Sequence, residues 1–189
     1  MTNFDKYMVT VDDRGAQNLY LKEFGSEYVQ GGICLCLAIT WLDLYLKDNN
    51  TLPNEIWHEM KKNTMLKQIA NNQEAYMKNG YNVNEVLRFY QLYSHLGELE
   101  FSKESAIQVL NGCFNNSPLI LIILDFEQGR HAISMIRRGE RVFLYDPNFG
   151  VINAPDNNYQ NLLNLVYHFY EIDKEMTITR MVAHGIMRV

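Results

Sequence analysis

The sequence has few of the residues that mark disulfide-rich or membrane-spanning proteins. It contains 4 prolines and 3 cysteines among 189 residues. An odd number of cysteines, two of which lie one residue apart in a predicted helix, argues against a framework of disulfide bonds. The longest apolar runs, LILIIL and GICLCLAITWL, are far shorter than the roughly 20 residues that a helix needs to span a bilayer. The sequence therefore predicts free thiols and no transmembrane segment.

Positive charge is scarce as well. The chain has 17 lysines and arginines against 22 acidic residues, which gives a formal net charge of -5. Its basic pairs, at 61–62 and 137–138, are not gathered into a stripe. A protein that binds nucleic acid needs a basic face to meet the phosphates. Nucleic acid is therefore not a predicted partner.

The first residues, MTNFDKYMVTVDD, lack the basic start and the apolar run of a secretory signal peptide. A signal that is read by other export machinery would leave no pattern of this kind. We therefore expect no cleavable signal peptide of the secretory type, and export by another route stays open.

The overall composition, with 47% hydrophobic and 21% charged residues, is that of an ordinary globular protein. Its length fits one domain spanning 1–189. Apolar residues spaced by three and four predict helices in the first half, whereas LILIILDF and the segments after it predict a hairpin and further strands. Helices followed by antiparallel strands indicate an α+β domain. The predicted helices lie at 33–47, 52–62, 82–97, 102–112 and 157–170, with 62–80 as a further candidate.

A predicted hairpin near residue 139 brings a histidine close to an acid. With a two-residue loop at 138–139, His131 faces Asp146 across the strands, with Cβ atoms about 5 Å apart. Moving the loop to 139–140 places His131 opposite Asn148 instead. A carboxylate beside a histidine fixes the tautomer and stabilises the imidazolium, which a general base next to a thiol requires.

Cys34 is the candidate thiol. It follows two glycines at the predicted start of the first helix, where the chain can turn sharply and where free N–H groups and the helix dipole favour a thiolate. Cysteine, histidine and aspartate in this order are typical of a nucleophilic thiol hydrolase. Cys36 and Cys113 lack such partners and are interpreted as core residues. Because the cysteines do not form the paired knuckles of a zinc site, we predict no bound metal.

Three motifs carry a resemblance to a known family. They are Gly-x-Cys-x-x-Leu-x-x-x-Trp from Gly32 to Trp41, the pair His131-Ala132, and Asp-Pro-Asn-x-Gly from Asp146 to Gly150. With these motifs, which span 32–150, the sequence resembles the YopT/AvrPphB-type papain-like cysteine peptidases, a group made largely of bacterial virulence effectors.

The sequence departs from the pattern of that family at two positions. Cys36 stands where the family usually has glycine, alanine or serine, and Arg130 separates Gly129 from His131, where a direct Gly-His pair is common. Neither departure removes a group that the chemistry needs, although both alter the surroundings of the site.

The resemblance implies a papain-like fold, in which the nucleophile lies on a central helix packed on a C-terminal antiparallel sheet. It implies Cys34 as the nucleophile, His131 as general base and acid, and Asp146 as the residue that orients His131. It also implies an oxyanion hole formed by the Cys34 backbone N–H and an upstream side-chain amide, for which Gln30 is the candidate. This chemistry needs no cofactor.

The function implied by the resemblance is a cysteine-dependent endopeptidase that cleaves a host protein through a thioacyl intermediate. The same three residues could instead serve a glutamine deamidase or a transglutaminase, and a third alternative is a binding module that has lost its activity. The resemblance further implies that the protein is exported by a bacterium and acts in the host cytoplasm.

Overall fold

The computed structural model describes residues 33–80 and 82–189 of the chain. As predicted, most helices precede most strands. The helices are α1 (Cys34–Lys47), α2 (Ile56–Met60), α3 (Asn63–Lys78), α4 (Val83–Phe89), α5 (Ala106–Phe114) and α6 (Gln160–Tyr167). The strands are β1 (Leu92–Ser94), β2 (Leu99–Phe101), β3 (Leu119–Phe126), β4 (Gly129–Arg138), β5 (Arg141–Asp146), β6 (Gly150–Pro155) and β7 (Ile178–Arg188). A π-helical segment, His168–Asp173, continues α6.

The strands form one antiparallel sheet in the order β1-β7-β3-β4-β5-β6, and β2 pairs with β7 as well. The apolar strand β3 lies in the interior of the sheet, between β4 and β7. Its central position agrees with its sequence, because β-branched and apolar residues in succession are typical of a strand that is covered on both faces.

Helices cover both faces of this sheet. One face of β3, which includes Leu121, packs into a core with α1 and the other helices of the first half. The opposite face, which includes Ile122, packs into a second core with α5 and α6. Helix α1 lies mainly against β4, and its residues 34–43 are all buried. The prediction of a central helix packed on an antiparallel sheet is confirmed.

The hairpin of β4 and β5 has a different loop from the one first expected. Arg138 pairs with Arg141 and Ser134 pairs with Tyr145, so the loop consists of 139–140 and the expected loop at 138–139 is wrong. The reason is the backbone conformation at Gly139, whose φ of 57° lies in the left-handed region that suits glycine and strains arginine.

This change of register keeps the face of each side chain. Moving a two-residue loop by one residue displaces the pairing by two residues, and side chains in a strand alternate with a period of two. His131 and Asp146 therefore stay on one face as diagonal neighbours instead of direct partners. Diagonal residues on adjacent strands are within reach of long side chains.

The expected helix at 82–97 is wrong in its second half. Of the two candidate caps that the sequence offers, Asn82 and Asn84, it is Asn82 that caps α4, because its side chain accepts hydrogen bonds from two backbone N–H groups of the first turn. The helix ends at Phe89, however, and Gln91 has a left-handed φ of 57°. Residues 92–94 then pair with β7 as strand β1. Pairing with a strand from the far end of the chain overrides the local helical pattern.

Candidate active site

The N-terminus of α1 and the start of β4 bring Cys34 and His131 together. Cys34 is the first residue of α1 and is only 8% exposed. Its Sγ lies 4.0 Å from the backbone oxygen of Arg130, the residue that precedes His131, and Cys34 is close enough to the His131 ring to raise the pKa of that histidine. These two residues lie 97 positions apart in the sequence, so only the packing of α1 on β4 makes them neighbours.

His131 also contacts a buried carboxylate. Its Nε2 lies 2.8 Å from Oδ1 of Asp146, and both side chains are buried. Because Nε2 is engaged by Asp146, Nδ1 is the ring nitrogen that remains for the thiol. The imidazole thus lies between Cys34 and Asp146, which is the order that proton transfer from a thiol requires.

Both oxygens of Asp146 have further partners. The backbone N–H of Asn148 donates to Oδ1 at 2.8 Å, and the hydroxyl of Tyr170 donates to Oδ2 at 2.8 Å. The Asn148 side-chain amide in turn donates to the Tyr170 oxygen at 2.9 Å. The Asp-Pro-Asn turn and the π-helical segment that carries Tyr170 therefore fix the carboxylate in one orientation.

The charges of the site favour a protonated His131. Burial alone lowers its pKa, but the negative charge of Asp146 and the neighbouring Cys34 side chain, together with hydrogen bonds to both, raise the pKa to about 10. Burial and the nearby charge of Asp146 raise the pKa of Tyr170, so its hydroxyl keeps its proton and donates. The surroundings of His131 therefore favour its imidazolium form.

An opening between β4 and β5 lets side chains from the two faces of the sheet meet. By strand alternation His131 belongs to the face of Ile133, whereas α1 covers the opposite face. The ladder between β4 and β5 ends at Ser134 and Tyr145, and residues 129–133 pair with β3 alone. The site lies where the two strands separate.

Comparison with known proteins agrees with this architecture. The sequence model of a peptidase family described as Yersinia/Haemophilus virulence surface antigen matches residues 96–182, which include His131 and Asp146. The crystal structure of the Pseudomonas avirulence protein AvrPphB superposes with a TM-score of 0.66 at 13% identity, over 86% of this chain and 95% of that chain. Together, the two matches support a papain-like cysteine peptidase of the YopT/AvrPphB type.

A second solved structure shares the fold of this chain. The ubiquitin-specific protease of the murine cytomegalovirus tegument protein M48 matches with a TM-score of 0.52 and 11% identity, over 94% of this chain and 84% of that chain. A sequence search among curated proteins finds no match. The matched family is a peptidase family described by a virulence surface antigen, and a peptidase family implies a protein as the class of substrate.

A cavity of about 720 Å³ opens onto Cys34 and His131. One wall comes from α3, and the other comes from β3, β4 and the turn that joins them. The lining is mostly apolar, with a few polar groups close to the thiol, as is usual for a ligand site. The lining includes Gln73, Asn148 and Tyr170.

The remaining sequence-predicted positions divide into two groups. Gln30 and Gly32 lie outside the residues that the structure describes. Cys36 and Cys113 are fully buried, as predicted for core residues, and burial raises the pKa of both thiols. Within 33–80 and 82–189 there is no group of three or more potential metal ligands. In the same residues, no helix has the length and apolar character needed to cross a bilayer.

Two residues of the site escaped sequence reasoning. Tyr170 belongs to a series of aromatic residues at helical spacing, which by itself indicates a core position, and Gln73 belongs to no motif. Both are buried, at 2% and 4% exposure, and both line the cavity. No local signal distinguishes them, because each reaches the site only through the packing of a distant element.

Proposed function

We propose that Cys34, His131 and Asp146 form the catalytic triad of an endopeptidase that cleaves a host protein. The observation that supports this assignment is the position of His131, which contacts the thiol on one side and a fully buried carboxylate on the other. A structural histidine does not need a thiol neighbour at a helix N-terminus, whereas a thiol nucleophile needs both contacts.

The proposed reaction follows from these contacts. The Cys34 sulfur attacks the carbonyl carbon of the scissile amide, and the electron pair of the C=O bond moves onto oxygen. When the tetrahedral intermediate collapses, the C–N bond breaks and the departing nitrogen takes a proton from His131. Water then attacks the thioacyl group, with His131 accepting the proton, and releases the acid and the free thiol.

The oxyanion of the intermediate is proposed to accept a hydrogen bond from the Cys34 backbone N–H. This N–H belongs to the first turn of α1, where backbone donors have no partner within the helix. The family resemblance assigns a second donor to the side chain of Gln30. The chain is proposed to act as a single catalytic domain over 1–189.

The substrate and location are proposed from the family alone. Similarity to virulence effectors favours export from a bacterium and action on a host protein in the host cytoplasm. An endopeptidase is favoured over a glutamine deamidase or transglutaminase because the matched family is a peptidase family.

Intact-mass spectrometry of candidate host proteins tests the reaction type. Incubation with the peptidase is expected to yield two fragments whose masses add up to the intact chain plus one water, and the Cys34→Ala variant is expected to yield none. A small mass gain without a chain break would instead identify a deamidase, and fragments produced equally by the Cys34→Ala variant would contradict the proposed nucleophile.

Thiol reactivity tests the triad without knowledge of the substrate. We expect iodoacetamide to alkylate Cys34 much faster than the fully buried Cys113 near neutral pH, since only Cys34 has an imidazolium neighbour and borders the cavity. His131→Ala is expected to slow alkylation of Cys34 and to leave Cys113 unchanged. Equal rates at the two thiols, or no effect of His131→Ala, would separate Cys34 from catalysis.

A further inference from the structure

Gln73 of α3 closes the open end of α1. Its Oε1 accepts a hydrogen bond from the backbone N–H of Cys36 at 3.2 Å. The first N–H groups of a helix have no partner within the helix, and Ile33, at the N-cap position, provides no side-chain cap. A residue from a different helix thus supplies a cap within the first turn of the helix that carries Cys34.

This hydrogen bond fixes the orientation of the Gln73 amide. A backbone N–H can only donate, so the atom that faces Cys36 must be the oxygen, and the NH₂ group is directed away from it. In the described part of the chain, Nε2 of Gln73 has no hydrogen-bond partner. The side chain is 4% exposed, and its residue lines the same cavity as Cys34. This nearly buried amide, in the cavity of the proposed nucleophile, therefore has two donors that no residue of 33–80 or 82–189 uses.

We propose that Nε2 of Gln73 donates a hydrogen bond to the substrate carbonyl oxygen that Cys34 activates. This inference rests on the proposed function of Cys34, and it adds a donor to the amide that the family resemblance assigns to Gln30. As the sulfur–carbon bond forms, the carbonyl oxygen gains a negative charge, which Nε2 and the Cys34 backbone N–H stabilise together. Gln73 transfers no proton, because the proton of the leaving nitrogen comes from His131.

Two small reagents separate this role from a structural one. p-Nitrophenyl acetate acylates a thiolate through a tetrahedral oxyanion, whereas iodoacetamide alkylates it by displacement at a saturated carbon and forms no oxyanion. Both rates depend on the reactivity of the Cys34 thiolate. The ratio of the acylation rate to the alkylation rate therefore isolates the contribution of oxyanion donors.

Gln73→Glu keeps the oxygen that caps α1 and replaces the donor by a second oxygen. Gln73→Met removes the donor without adding charge. We expect both variants to lower the ratio by about 100-fold or more, the usual effect of losing one oxyanion donor. Gln68→Glu makes the same chemical change at an exposed position of α3, and we expect it to keep the wild-type ratio.

Each outcome decides the proposal. A wild-type ratio in Gln73→Glu would mean that Gln73 only caps α1. A wild-type ratio in Gln73→Met would mean that any effect of Gln73→Glu comes from the charge of the glutamate. Either result overturns the proposal. If Gln73→Met fails to fold, the pH dependence of the rate ratio in the Gln73→Glu variant tests the proposal instead. Protonation gives the introduced carboxyl group of the Gln73→Glu variant an O–H donor, so the ratio of this variant must rise toward wild type at acidic pH, and a constant deficit overturns the proposal.

Failure of the proposed function gives a different result in the same assay. If Cys34 is not the nucleophile, the Cys34→Ala variant releases p-nitrophenolate in the same initial burst as the wild type. If instead the burst requires Cys34 and the ratio is insensitive to both Gln73 variants, only the role of Gln73 is refuted.

Discussion

Asp146→Asn removes the negative charge beside His131 and keeps the size of the side chain. The Nε2–Oδ1 distance is 2.8 Å, which places the charge centres about 4 Å apart. At an effective dielectric constant of about 20 their attraction amounts to about 4 kcal/mol, or about a 1,000-fold effect on the protonation of His131. The substitution therefore lowers the pKa of His131 from about 10 toward its ordinary value of 6.5.

The direction of the pH effect follows from this change. A raised pKa means that the imidazolium survives to alkaline pH in the wild type and is lost at lower pH in Asp146→Asn. Alkylation of Cys34 by iodoacetate reports this charge, because the imidazolium attracts the carboxylate of the reagent. We expect the wild-type rate to decline only near pH 10 and the rate of the variant to decline from a pH closer to 6.5.

Two controls accompany this assay. Iodoacetamide, which is neutral, is expected to show no alkaline decline that depends on the imidazolium. Asp156→Asn removes a carboxylate that pairs with Arg137 at 2.7 Å on the outer part of the same hairpin region, and its profile is expected to match the wild type. Superimposable iodoacetate profiles for the wild type and Asp146→Asn would refute the electrostatic role assigned to Asp146.

Three further substitutions test the surroundings of the site and the core, each by urea denaturation. Tyr170→Phe keeps the ring but removes the hydroxyl that donates to Asp146, and we expect it to lower the free energy of unfolding by about 1.5–3 kcal/mol; an unchanged value would mean that the carboxylate finds another donor. Leu121→Ala truncates a fully buried side chain of the interior strand, with an expected loss of about 2–5 kcal/mol, and a loss well below this range would indicate loose packing under α1. Asn82→Ala removes the cap of α4 and should cost about 1 kcal/mol, unless those N–H groups are equally well satisfied by water.

The elements that the sequence predicted correctly are those whose pattern is set locally. β3 is a run of apolar and β-branched residues at 119–126, and no other element fits such a run between turn residues. α1 combines apolar spacing with a Gly-Gly entry and the polar stretch at 48–50. In β3 and in α1, the residues that pack into the core are also residues that favour the local backbone conformation. Tertiary packing and the local pattern therefore agree.

The elements that escaped prediction depend on distant partners. β1 has three residues and exists because Leu92, Tyr93 and Ser94 pair with the other end of the chain. Its sequence continues the helical pattern of α4, and a three-residue strand offers too little alternation to compete with that pattern. Nothing within residues 82–97 indicates that β7 will lie beside them.

The proximity of His131 and Asp146 was predicted with the wrong loop, and the reason it was still correct is geometric. A displacement of two residues along a strand preserves the face, so both possible loops leave the two side chains on the same side of the sheet. The 2.8 Å contact between His131 and Asp146 is therefore compatible with the observed loop, although the two residues are not directly opposite each other. The loop itself was readable from Gly139, since glycine tolerates the left-handed backbone there.

The position of β7 in the sheet has a consequence for how the chain folds during synthesis. This strand contains residues 178–188 and lies between β1 and β3, both of which are made much earlier. Until β7 leaves the ribosome, β3 has one unpaired edge and β1 has no neighbour. A nascent chain can therefore form the hairpin of β4 and β5 and pair β4 with β3, but it cannot complete the sheet until translation has passed residue 188.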